Sequence, residues 1–167
     1  MKKISLLLAI ISTCIATSPG CLAQTVASGG VRPDAVLKIY NAGMDPSATR
    51  AVGDLWKTYG DKKNESWDRL SDGFRAKFSE NNIQYSIYYD KKGNWSRTLR
   101  QYSEKELPKE IGEEVRRCHH GYSILWIKEI SGPEGIAYQV HIESPTRWKN
   151  LWVSDGDMLV TGNFAKE

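Results

Sequence analysis

From Phe74 to Val160 the apolar residues repeat mostly at every second position. That period restricts the chain to strands with one face buried and one face wet. Phe74, Ala76 and Phe78 alternate with Arg75 and Lys77. Tyr85, Ile87 and Tyr89 alternate with Gln84, Ser86 and Tyr88, and Tyr138, Val140 and Ile142 alternate with Gln139, His141 and Glu143. Trp95 to Leu99, Ile124 to Ile130, Leu151 to Val153 and Met158 to Val160 read as further strands. Asp90-Lys91-Lys92-Gly93, Gly132-Pro133-Glu134-Gly135 and Ser154-Asp155-Gly156-Asp157 are the turns between them. Such strands form an antiparallel meander with a core on one side.

Two interruptions carry a helical period instead. Pro33-Asp34 opens a pattern through Val36, Leu37, Ile39 and Tyr40, which Asp45-Pro46-Ser47 breaks. A second piece follows through Val52, Leu55, Trp56 and Tyr59 to Gly60, and Asp61 to Ser66 reads as a charged loop. Later, Leu107-Pro108 starts a helix with Ile111, Val115 and Cys118 as its apolar stripe, Glu113 and Arg117 as an i,i+4 pair, and Gly121 as its stop. The order helix, strands, helix, strands predicts an α+β domain. We expect two helix-plus-antiparallel-sheet units in tandem, residues 33–103 and 104–167, with the helices packed on one face of the sheet.

The N-terminus reads as an address. Lys2 and Lys3 precede the apolar run Ile4 to Ala16, and Cys21-Leu22-Ala23 places small residues before Gln24. Residues 1–23 are therefore expected to be a cleaved signal peptide and 24–32 a flexible lead-in, with the mature chain periplasmic or secreted. Acylation of Cys21 is the less favoured alternative. No later stretch is long and apolar enough for a transmembrane helix. Without Lys2 and Lys3 the chain carries 21 basic and 20 acidic residues, which argues against a nucleic-acid partner. Cleavage leaves Cys118 as the single thiol, so the core is expected to hold without a disulfide.

Pro33-Asp34-Ala35-Val36, the hairpin Tyr88 to Trp95 with its "YDKKGNW", the Leu107-Pro108 helix start and the closing "YQVHIE … LWVSDGDML" together resemble the beta-lactamase-inhibitor-like, PepSY-like group of exported bacterial proteins. The resemblance spans residues 31 to 163 and rests on fold motifs. It implies an exported or envelope-associated protein of tandem helix-plus-sheet units with no established catalysis. Some relatives in the wider fold bind and inhibit enzymes. The stretch Asp45 to Ser66 is longer and more charged than the group's pattern, and no inhibitory residue of the group maps onto a matching motif.

Cys118-His119-His120 sets a thiol beside two imidazoles, but helical neighbours point about 100° apart and do not face one another. Cys118 continues the Ile111/Val115 stripe and is expected to be a buried, inert thiol. His119 and His120 complement the helix C-terminus. His119, His120 and His141 lack the spacing of a metal site, so no metal, no cofactor and no catalytic residue is assigned. The more informative residues are Tyr88, Trp126, His141, Trp148 and Trp152, which are expected on the sheet face away from the core, near Arg75, Lys128 and Gln139. Exposed aromatics among charges have the composition of a recognition surface. The chain is therefore read as an exported, non-enzymatic binding protein with a protein partner; the resemblance implies that this partner is an envelope or secreted enzyme, which the chain inhibits or modulates. The alternative is a binder of a small apolar ligand in a pocket between sheet and helices.

Overall fold

Asp45 caps the first described helix, and Pro46 supplies a fixed φ at its first turn. The computed structural model describes residues 45–167, all within a unit spanning Val31–Glu167. The expected signal peptide, lead-in and Pro33 helix lie outside the described residues. Helix α1 covers Pro46–Tyr59. The Asp45 side chain accepts from the Ser47 amide at 3.0 Å, and the Gly60 amide closes the other end on the Trp56 carbonyl. Ala48, Ala51, Val52 and Leu55 form its buried stripe.

Eight strands follow: β1 (Ser66–Leu70), β2 (Gly73–Glu80), β3 (Ile83–Asp90), β4 (Trp95–Tyr102), β5 (Ser123–Gly132), β6 (Gly135–Glu143), β7 (Arg147–Ser154) and β8 (Asp157–Ala165). A 3₁₀ turn (Glu104–Glu106) and helix α2 (Lys109–Cys118) connect β4 to β5. Each strand pairs antiparallel with the next, giving a single eight-stranded sheet in the order of the chain.

This overturns the expected class of two helix-plus-sheet units in tandem. Most of the described chain is one continuous sheet, with two helices beside it. The joint is the ladder from Thr98↔Ser131 to Tyr102↔Ile127 between β4 and β5. Two separate sheets would leave those edges as rows of unpaired amides and carbonyls; pairing them satisfies both.

The helices bury one face of this sheet in two clusters. Ala48, Ala51 and Leu55 of α1 pack with Phe74, Ala76, Phe78, Ile87 and Tyr89. Leu107 and Val115 pack with Ile127, Val140, Ile142 and Leu151. The pairings Ile87↔Thr98 and Thr98↔Ser131 carry one face across the joint, so both clusters lie on the same side. Full burial of each large aliphatic there contributes roughly 1.5–3 kcal/mol.

Three local expectations need correction. The charged loop before β2 ends one residue earlier than read, because Ser66 begins β1. Arg117 pairs with Glu114 at i,i+3, and Glu113 pairs instead with Lys109. Cys118 is exposed, not buried, because α2 ends there and its stripe stops at Val115.

Candidate binding face

Register decides which side chains share the uncovered face. Ile124 pairs with Ile142 on the core side, whereas Trp126 pairs with His141, so one extra residue is absorbed in β5 between them. That bulge turns Trp126 outward while Ile127 stays fully buried. The pairings Arg75↔Tyr88, Tyr88↔Arg97, Leu99↔Ile130, Trp126↔His141, Glu143↔Trp148 and Gln139↔Trp152 then place Tyr88, Trp126, His141, Trp148 and Trp152 on that one face. From β3 to β7, no residue on it is buried.

Three of the five meet. The His141 ring lies parallel to Trp126, with centroids 5.0 Å apart and 3° between planes, and Trp148 stands on its other side at 5.3 Å. Phe164 extends the row, stacked on Trp148 at 4.1 Å. The tier crosses four strands, β5 to β8. Sequence reading missed Phe164 because Thr161-Gly162-Asn163 looks like the end of a strand. In the fold, Gly162 leaves the room that Phe164 occupies: a Cβ there would fall 2.7 Å from the Phe164 ring.

His141 is fixed in the tier by both nitrogens. Nε2 lies 2.9 Å from Glu143 Oε1 and Nδ1 lies 2.8 Å from Asn150 Oδ1, and only 12% of the side chain is exposed. Lys166 donates to the other Glu143 oxygen at 2.5 Å. Lys166 first, and then His141, hold the Glu143 carboxyl below its ordinary range. An imidazole engaged at both nitrogens has no free lone pair for a metal or a substrate proton. It serves as a rigid plate.

Tyr88 and Trp152 do not join this tier. The Arg97 guanidinium lies 4.3 Å from the Tyr88 ring centroid, and Arg97 and Trp152 both line a groove of about 460 Å³ with Ile130 and Ile136. Lys128 reaches over Trp126 at 5.9 Å. The open face therefore has an aromatic tier at one end, a groove at the other and basic side chains beside both.

The other chemical candidates separate. The Cys118 Sγ donates to Glu114 at 3.3 Å, and that hydrogen bond pushes the thiol above its ordinary pKa, the wrong direction for a nucleophile. His119 and His120 sit at the end of α2, away from the strand position of His141. Among the described residues no three of His, Cys, Asp and Glu gather as a metal site. A cavity does lie between sheet and helices, but Arg100, Glu129, Thr98 and Ser131 line it. Tyr59, Tyr85 and Trp95 line it as well, so apolar and polar groups share its wall.

The sequence matches no family model and no curated protein. Solved structures do match. A BLIP-like protein from Bacteroides fragilis NCTC 9343 superimposes with a TM-score of 0.57 at 15% identity, over 75% of this chain and 91% of that one. The two share a fold. A DUF2874 family protein from Bacteroides uniformis ATCC 8492 gives a TM-score of 0.56 at 12% identity, over 70% and 87% of the chains. A candidate periplasmic protein from Bacteroides eggerthii DSM 20697 gives 0.55 at 12%, over 70% and 86%. The BLIP-like part of the expected resemblance thus has structural support at the level of fold. Among the described residues no helix is long and apolar enough to cross a membrane.

Proposed function

We propose that this chain is an exported, non-enzymatic binding protein that presents its open sheet face to another protein, an envelope or secreted enzyme that it inhibits or modulates. The observation that carries this reading is the tier Trp126–His141–Trp148–Phe164, locked by Glu143 and Asn150 on a face without a single buried residue from β3 to β7. Large, rigid aromatic side chains lose little conformational freedom on association and are over-represented among residues that dominate binding energy. Arg97 and Lys128 beside the rings favour a partner whose contact surface is acidic. The BLIP-like fold and the candidate periplasmic neighbour support an exported, inhibitor-type role. Export would use residues 1–23.

The test compares the full-length, exported chain with a Trp126→Ala/Trp152→Ala variant as bait for envelope and secreted proteins. Both tryptophans are half-buried on the open face, so the paired change is expected to leave the circular dichroism unaltered. The parent is expected to retain an acidic partner that the variant releases at least tenfold more readily, a loss of about 1.4 kcal/mol or more. Equal retention by both baits would remove the open face from the binding reading. A collapse of the variant's fold would place these tryptophans in the core and remove it equally.

A further inference from the structure

Strand β8 ends the sheet, with β7 on one side and, among the described residues, no strand on the other. Its outward amides and carbonyls form a template on which another strand can pair. The opposite edge is guarded: β1 has only five residues, and Asp68 and Arg69 put charges on it. β8 has nine, and from Met158 to Ala165 it carries neither a charge nor a proline. Leu159, Val160 and Phe164 on it are all exposed. We infer that β8 is a homodimer interface, on which the β8 of a second copy pairs antiparallel about a two-fold axis perpendicular to the sheet. The inference is independent of the open-face reading.

Register is what points to a second copy. Asp157 and Leu159 stand opposite Ser154 and Trp152 on the open face, while Met158 and Val160 stand opposite Val153 and Leu151 on the helix side. One extra residue, Thr161, then enters β8 at the Asn150/Leu151 shift, and the alternation switches. Beyond it, Phe164 lies opposite Trp148 on the open face and Lys166 reaches Glu143 there. Asn163 and Ala165, opposite Lys149 and Arg147, turn to the helix side.

Two strands related by such an axis must set open-face residues against open-face residues. Because of the switch, one register does this along the whole strand. It sets Asp157 against Lys166, Met158 against Ala165, Leu159 against Phe164 and Val160 against Asn163, and the symmetry repeats each pair. An acid meets a base at both ends, and each exposed Leu159 covers a Phe164 ring. A foreign strand would need an acid, an aromatic ring and a base at matching positions, which β8 already carries. The strand is ordered by β7 beforehand, so pairing costs little backbone entropy.

The test measures the mass of the full-length, exported protein by sedimentation equilibrium across the micromolar range, where a dimer is expected. Leu159 is 62% exposed, so Leu159→Lys leaves the core untouched and the circular dichroism unaltered. It is expected to weaken the dimer about tenfold or more by setting a charge against Phe164. The register is read with Leu159→Cys and Phe164→Cys variants, each also carrying Cys118→Ser. Oxidised glutathione is expected to link a mixture of the two but neither alone, because like positions lie roughly 15 Å apart in this register. A monomer at every concentration is the result expected if residues 24–44 or another protein's strand take this edge, and it would overturn the assignment. A dimer indifferent to Leu159→Lys, or either cysteine variant linking alone as well as the mixture does, would overturn it equally.

Discussion

Replacing Glu129 by alanine is expected to lower the unfolding free energy by about 3 kcal/mol, read from urea midpoints at constant slope. The side chain is 9% exposed and accepts from Arg100, Tyr102 and Ser131. Burial, reinforced by Glu129, pushes the Tyr102 phenol far above its ordinary pKa, so it stays protonated and donates. Removing the carboxylate strands that hydroxyl and leaves the Arg100 charge without its counter-ion. Arg100 is itself 31% exposed, which keeps the loss below that of a fully buried pair. Glu129→Gln retains an acceptor for Tyr102 and is expected to lose about half as much. A loss under about 1 kcal/mol for Glu129→Ala would mean that Arg100 turns to solvent without cost.

The second large effect is expected at Gly93 in the β3–β4 turn. Its φ is +79°, and a Cβ there would lie 2.0 Å from the Ser47 carbonyl oxygen in the first turn of α1. Gly93→Ala must therefore both strain the turn and push α1 away from the sheet. Gly156, in the β7–β8 turn, separates the two contributions: its φ is +84°, but a Cβ there would meet nothing. Gly156→Ala is expected to cost about 1 kcal/mol, the conformational part alone, and Gly93→Ala about 3 kcal/mol or more. Equal costs at the two positions would show that the hairpin tip does not hold α1 in place.

Much of the sheet was legible because its signal is local. Phe74/Ala76/Phe78 and Tyr138/Val140/Ile142 each announce a strand and its buried face without reference to any other segment. The β4–β5 pairing was not legible. It joins Thr98 to Ser131 across the whole α2 connection, and nothing in either strand names its partner, so the two halves read as separate units. Short β1 lay hidden behind the charges of Asp61 to Glu65. Cys118 was misplaced because helical spacing continues the stripe one step past the end of the underlying core.

The candidate face shows the same limit. Tyr88 and His141 follow from alternation alone. Trp126 sits in the run Ile124-Leu125-Trp126-Ile127, where period two cannot choose a face, and the bulge decides it. The pairing of His141 with Asn150 and the arrival of Phe164 over Trp148 require the β7–β8 register, which shifts at Asn150/Leu151. Composition therefore supplied the aromatic residues, and register supplied the tier.

The most direct measurement is site-specific photocrosslinking in the cell envelope. A benzophenone side chain would replace Lys128, beside the tier, in one variant and Lys105, in the 3₁₀ turn, in another. The expected result is a discrete protein adduct from position 128 that is absent from position 105 and lost when Trp126 and Trp148 are also replaced by alanine. No adduct from position 128, or the same adduct from both positions, would contradict a binding function for the open face.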